Sequence, residues 1–391
     1  MGTADFPAVV LAAGEGRRLA PLTDTRPKPM LPVANRPILE YVLEAIATAG
    51  LEEVVVVVGH RAERIRTHVG DGADWGLDIT YVEQTPQLGT GHAVLQAESQ
   101  VDGPFLVFNG DRILDPVVVE QVVSAHQPET TVVATTLAEQ PSNFGVVEVD
   151  GSTLVGVHEK PLNPSPRAII NAGVYGFGES IFDRIRQTEP VGGEQAITST
   201  LAALAEDETV RAVRYDGRWL DVTYLWDLPA VTNSLVSDLD PLEPSGGHIA
   251  ESAILATDVA IAPDVHIGSN AVVAGGTALG PSTTVGPAAV VENSVVMAGA
   301  TVETGAVVRD AVVGANATVG ANTTIGGGSA TVVVDGTTHD GVTLGGVVGD
   351  NARVGPGGVL EAGTVVGTNA MVDAGVTLAG RIGSNVEVVR G

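Results

Sequence analysis

The feature that most restricts the fold is a six-residue spacing of apolar side chains in the C-terminal third. Ile261, Ile267, Val273, Leu279, Val285 and Val291 lie six apart. After one five-residue step the spacing resumes at Val296, Val302 and Val308, and after another at Val313, Val319 and Ile325. A second block runs through Val348, Val354, Leu360, Val366, Val372 and Leu378. A helix needs a period near 3.6 and an ordinary strand a period of 2, so neither accounts for six. Six residues supply one short strand and one turn, and three such units make a coil whose apolar positions point inward. The pattern predicts a parallel β-helix, with residues 327–347, which break the phase, looping out of it.

The first 236 residues read differently. "AVVLAAG", "EEVVVVVGH", "PFLVFNGDRIL" and "ETTVVATTL" are strand-like runs. They alternate with helical patterns such as "PILEYVLEAIATAG", which ends in the candidate cap Gly50. Alternation of this kind predicts an α/β domain with a mostly parallel sheet and helices on both faces. Ligands of such sheets sit beyond the carboxyl ends of the strands, here the loops after Leu11, Val58 and Phe108. Domain 1 is expected at 1–237, a linker at 238–250 and the β-helix at 251–391.

The charge balance, 47 acidic residues against 20 basic, argues against a nucleic-acid partner, whose binding draws on lysine and arginine. The acids are scattered through patterned sequence, which suggests a chain adapted to a salty medium, where screening weakens self-repulsion. The absence of cysteine excludes disulfides and thiol catalysis. No apolar run is long enough to cross a membrane, so no membrane partner is expected. No basic segment precedes the first apolar stretch, so a cytoplasmic location is expected.

Of the 20 basic residues only Lys28 and Lys160 are lysines. Lys28 lies between two prolines that restrain its backbone. It follows a glycine turn, "AAGEGRR", whose backbone N–H groups can face an anion. The turn, Arg18 and Lys28 together form a local positive exception suited to a polyphosphate.

The stretch "LAAGEGRRLAPLTDTRPKPMLPVANRPIL" resembles the signature of the sugar-1-phosphate nucleotidylyltransferases, in particular the two-domain type with a C-terminal left-handed β-helix. "QTPQLGTGHAV", "FNGD", "FGVVEVD", "HEKP", "NAGVYGF" and "RWLDVTYLWDL" continue the resemblance in family order. One departure is Arg17, where many relatives have Ser or Thr. The resemblance implies a Rossmann-like nucleotidyltransferase domain followed by that β-helix. The left hand rests on it alone, since the crossover rule would favour the opposite hand. It implies that Leu11, Gly14, Gln84, Gly89 and Thr90 hold the base and ribose, and that Arg18 and Lys28 bind the triphosphate. It further implies Mg²⁺ on Asp111 and Asp221, a sugar pocket of Gly145, Glu159, Asn171 and Val174, and Lys160 on the sugar phosphate.

The chemistry agrees with such a set. A sugar 1-phosphate attacks the α-phosphorus of a nucleoside triphosphate, so catalysis is positioning plus charge neutralisation. The attacking oxygen is already ionised, so no general base is needed, and His92 reads as a packed or helix-start residue. The expected reaction uses dTTP or UTP and a hexose 1-phosphate, glucose 1-phosphate first. One alternative is a bifunctional enzyme that also uses acetyl-CoA, with His339 as the base; His266 reads as an outward surface residue. A second is a catalytically silent regulatory subunit. Relatives of this plan imply a homotrimer or a multiple of one.

Overall fold

The computed structural model describes residues 6–127, 130–138, 140–238 and 245–390; the middle of the expected linker, 239–244, lies outside the described residues. The chain divides into two compact units that interleave along the sequence. The first comprises 1–15, 27–30 and 38–220, and the second 16–26, 31–37 and 221–391. The glycine-rich signature is thus split, its first half in one unit and residues 16–26 in the other.

The first unit is built on nine strands: β1 (Ala8–Leu11), β2 (Glu53–Val58), β3 (Asp78–Glu83), β4 (Phe105–Asn109), β5 (Val132–Leu137), β6 (Gly145–Asp150), β7 (Thr153–Glu159), β8 (Ile169–Phe177) and β9 (Val210–Arg214). Their order across the sheet is β3-β2-β1-β4-β8-β5-β9-β7-β6. Strands β3, β2, β1 and β4 are parallel, as the continuous apolar runs of β1, β2 and β4 lead one to expect. Beyond β4 the sheet is mixed rather than mostly parallel. Strand β8 runs antiparallel to both β4 and β5, and β7 is antiparallel to β9 and β6. Part of the reason lies in "EVDGST": Asp150 pairs with Thr153, leaving Gly151–Ser152 as a two-residue loop, and Gly151 has φ +61°. A tight loop with a left-handed glycine makes a hairpin, not a crossover.

Two apolar cores cover the faces of this sheet. One packs α1 (Ile38–Thr48), α2 (Ala62–Val69) and α4 (Val117–Ala125) on Val10, Val56 and Phe108. The other packs α3 (Thr90–Gln96), α5 (Ser180–Gln187) and α6 (Ile197–Asp207) on Val9, Val57 and Val107. Gly50 lies just past α1 with φ +84°, as a C-terminal glycine should.

The second unit is a coil of short parallel strands in three sheets of eight, seven and seven strands, the architecture expected of a left-handed β-helix. Every apolar residue of the six-residue series, from Ile261 to Leu378, lies in its single buried core. Strand partners are usually eighteen residues apart (Val273 with Val291), but seventeen where a five-residue step falls (Val291 with Val308). Three positions before the core residue, the turn adopts a left-handed backbone: Asn270, Asn316, Asn322 and Asn369 all have φ near +57°. Asparagine and glycine tolerate this conformation where branched residues do not. Glycine after the core residue answers a different need, because a Cβ on Gly286 would stand 2.6 Å from the backbone nitrogen of Thr304 in the next coil.

Residues Ser329–Val334 and Thr337–Thr343 leave the coil as an antiparallel hairpin, closed by Asp335–Gly336 with both φ values positive. Helix α7 (Asp227–Val236) packs on the third sheet, whose outward residues Ala278, Val295 and Val312 are therefore buried.

Candidate active site

In the first unit the chain turns from β1 to β2 on one side of β1, while β4 lies on the other. That reversal opens a crevice at the carboxyl ends of adjacent parallel strands. Leu11 stands opposite Asn109, and the Gly110 N–H donates to the Leu11 carbonyl at 2.9 Å. A Cβ on Gly110 would come within 2.9 Å of that carbonyl oxygen, so glycine is needed for the two strand ends to meet. Asp111 and the loop from Ala12 to Gly14 consequently emerge side by side. Gly14 is exposed, and the space where its Cβ would lie is open.

Lys28 opens a single 3₁₀ turn, Lys28–Met30, and its Nζ stands 2.6 Å from Asp111 Oδ2. Arg112 Nη1 donates to Asp111 Oδ1 at 2.9 Å. Burial opposes ionisation of Asp111, but the charges of Arg112 and Lys28 outweigh it and hold the carboxyl well below the usual carboxylate range. The Arg112 guanidinium lies over the rings of Phe144 (5.6 Å) and Trp219 (5.4 Å), and Trp219 Nε1 donates to the Ala172 carbonyl at 2.8 Å. Sequence reasoning passed over Arg112. The signal was its place beside Asp111 in "GDR".

Gln84, at the end of β3, is buried; its Nε2 donates to the Gly89 carbonyl at 2.9 Å and lies 3.0 Å from His92 Nδ1. Gly89 has φ +108°, and a Cβ there would strike the Gln195 carbonyl at 2.7 Å. The Ile197 N–H donates to the Thr90 hydroxyl at 2.9 Å. Gln84, Gly89 and Thr90 thus form one patch, with His92 on α3 packed into it.

Gly145 is the cross-strand partner of Glu159, and a Cβ on Gly145 would press Glu159 Oε2 at 3.2 Å. Lys160 Nζ lies 3.3 Å from Glu159 Oε1, and Lys160 has φ +44°, with its N–H donating to the Phe144 carbonyl at 3.1 Å. Asn171 Nδ2 donates to the Tyr175 hydroxyl at 2.5 Å, while its Oδ1 accepts from the Gly173 N–H at 2.9 Å. Burial pushes the Tyr175 hydroxyl up, so that it stays protonated. Val174 is fully buried in the core, which leaves only its backbone to face a ligand.

The other expected residues fall in the second unit. Arg18 lies 3.5 Å from Asp335 at the hairpin tip and over the Tyr224 ring at 5.7 Å. Asp221 accepts a hydrogen bond from the Thr223 hydroxyl. His339, expected in an irregular loop, stands on a hairpin strand at the register shift between its pairing with Val332 and that of Val342 with Ala330, its ring 4.7 Å from that of Tyr224 and 5.2 Å from that of Trp226. His266 is an exposed strand residue. Among the described residues no three His, Asp or Glu side chains gather as a metal cluster. Mg²⁺ is a hard cation that keeps several non-protein oxygens, so an ionised, partly exposed Asp111 with one further carboxylate fits it.

The sequence model of the nucleotidyl transferase family matches residues 7–237. The chain belongs to this family. The model of the GMPPB C-terminal domain matches 255–383. The nucleotidyl transferase is 38% identical over 242 residues to glucose-1-phosphate thymidylyltransferase of Streptomyces antibioticus, covering 60% of this chain and 67% of that one. It is 35% identical to bifunctional protein GlmU of Methanococcus maripaludis, covering 59% of this chain and 55% of the relative. It is 38% identical to the low-salt glycan biosynthesis nucleotidyltransferase Agl11 of Haloferax volcanii, covering 54% and 61%. The chain thus spans little more than half the length of several relatives it matches. A solved UDP-glucose pyrophosphorylase, complexed with UDP-glucose, shares the fold, with a TM-score of 0.54 and 24% identity over 60% of this chain and 99% of that one. No helix among the described residues is long and apolar enough to cross a membrane.

Proposed function

We propose that this nucleotidyl transferase moves a nucleotidyl group from dTTP or UTP to a hexose 1-phosphate, glucose 1-phosphate first, in a Mg²⁺-dependent reaction that releases pyrophosphate. The observation that carries the reading is Lys28–Asp111–Arg112, an ionised carboxylate held between two cations where the strand order reverses. In a chain with 47 acids, that is where a polyanion is admitted. Lys28 and Arg18 take the triphosphate, and Lys160 the phosphate of the sugar. Gln84, Gly89 and Thr90 face the base and ribose, with Leu11 and Gly14 beside them. Glu159 and Asn171, with the backbone at Gly145 and Val174, meet the sugar hydroxyls. Asp111 and Asp221 supply oxygens to the metal. When bound, the metal neutralises charge developing on the phosphates.

The nearness of thymidylyltransferase among the relatives favours dTTP and glucose 1-phosphate. Acetyl transfer is left out of the reading, because the His339 ring is engaged by Tyr224 and Trp226. The proposal includes a cytoplasmic, salt-adapted trimer, in keeping with the apolar outward column Ile254, Val272, Val290 and Val307 on one coil face. A pyrophosphate-release panel crossing four nucleoside triphosphates with six hexose 1-phosphates at high salt tests the reading. Turnover confined to dTTP or UTP with glucose 1-phosphate supports it. Turnover with purine nucleotides alone overturns the choice of base, and no turnover in any combination overturns the activity.

A further inference from the structure

Residues 16–26, the second half of the glycine signature, are fastened to the β-helix at several heights. The Thr368 hydroxyl donates to the Pro21 carbonyl at 3.2 Å, Arg381 Nη1 to the Ala20 carbonyl at 3.2 Å, and the Ser384 hydroxyl to Asp24 Oδ2 at 3.2 Å. The deepest attachment is Asp350. It stands in a coil turn, only 3% exposed, and Arg26 opposite it is 8% exposed. Asp350 Oδ2 accepts from both the Arg26 guanidinium and the Thr25 hydroxyl. Its other oxygen accepts from the Ala315 N–H at 2.8 Å, which ties the carboxylate to the neighbouring coil. Arg26 Nη1 also reaches Met297 Sδ at 3.0 Å.

A buried ion pair is weak evidence for stability as such, because apolar replacements of similar volume often hold a fold equally well. What it does supply is direction: a carboxylate with both oxygens engaged holds its partners in one arrangement. Arg26 and Arg18 lie in the same segment of the second unit, eight residues apart.

We propose that Asp350 is a positioning residue for nucleotidyl transfer: from within the β-helix it fixes the Thr25–Arg26 end of the 16–26 segment, and with it the presentation of the phosphate-binding side chain Arg18. The inference rests on the proposed reaction.

The test uses the full-length chain with Asp350→Asn, with the double variant Arg26→Met/Asp350→Leu, which keeps the site filled by apolar groups, and with Asp373→Asn as a control in a later turn. Initial rates are measured against each substrate separately, and hydrogen exchange is followed in the peptide covering 16–26. Both test variants should lose at least tenfold in kcat/KM for the nucleoside triphosphate, while KM for the sugar 1-phosphate stays within twofold. Exchange in 16–26 should quicken at least tenfold with the coil at 259–285 unchanged, and the control should match wild type in every measurement. A folded double variant with wild-type kcat/KM for the nucleotide overturns the proposal. So does an equal loss toward both substrates, which would mark general damage. If the wild-type chain turns over no substrate pair, the proposed reaction fails; unchanged exchange in the variants would then overturn the anchoring as well.

Discussion

The nine-stranded unit and the β-helix use glycine and asparagine for opposite ends. In the coil these residues recur at fixed phase, because most turns repeat the same left-handed step and many the same close approach to the next coil. In the sheet unit each special glycine occurs once and answers one local contact: Gly110 against Leu11, Gly89 against Gln195, Gly145 against Glu159. Repetition builds a long core from small residues, but places identical surroundings at every level. Singular contacts build a site.

The two regions should therefore fail differently when changed. Asp111→Asn in the sheet unit should give the largest effect, a loss on the order of 10²-fold or more in kcat, since it removes charge from the centre of the cluster. Sugar-phosphate binding by calorimetry should stay nearly normal; a variant turning over at the wild-type rate would erase the distinction between the regions. The same carboxylate sharpens the comparison through pH. Its folded-state pKa is lowered, so its stabilisation is fully present above the ordinary value of about 4 and disappears only as pH falls through the lower folded one. Between pH 8 and 5 the difference in unfolding free energy between wild type and Asp111→Asn should stay flat.

Lys28→Arg should rank next, with a loss of about tenfold or more in kcat/KM, even though arginine is the preferred cation throughout this chain. Lys28 meets Asp111 as a compact charge at 2.6 Å in a nearly enclosed place, where a planar fork has different geometry. Wild-type kinetics would show that the charge alone matters there.

Changes in the coil core and in turns away from Asp350 should act on stability and spare the rate constants. Val319→Ala removes two methyl groups from the buried core and should cost about 2 kcal/mol, a drop of about 5 °C in the unfolding midpoint. The smallest effect belongs to the turns. Asn316→Val should cost about 1–2 kcal/mol at φ +56°, whereas Asn316→Gly should change stability by only a few tenths of a kcal/mol, about what glycine costs elsewhere in such a conformation. Equal melting of the two Asn316 variants would mean that the left-handed turn is not what selects asparagine.

How much could be read in advance follows the same division. The coil core was legible residue by residue, because a six-residue period leaves one inward position per strand, and Ile261 through Leu378 all occupy it. The left-handed turn phase, filled by asparagine, glycine, aspartate, serine or alanine, went unread, since such residues carry no burial signal. In the sheet unit the parallel half was legible from its valine runs. The antiparallel half was not, although "VDGS" marked its hairpin. Lys28 stood out by rarity and Asp111 by ending a strand. Arg112 and Trp219 did not, because their meeting depends on strands more than a hundred residues apart. Nor could any local pattern show that residues 16–26 would group with the coil and lean on Asp350.

The proposed reaction is a direct displacement between two polyanions, with no covalent protein intermediate. Incubation with a nucleoside triphosphate labelled on its α-phosphorus, with and without sugar 1-phosphate, tests this most directly. The predicted result is label in nucleotide sugar, one pyrophosphate released per label transferred, none released without the sugar phosphate, and no label on the protein. Pyrophosphate release without the sugar phosphate, with label retained on the denatured chain, would contradict it.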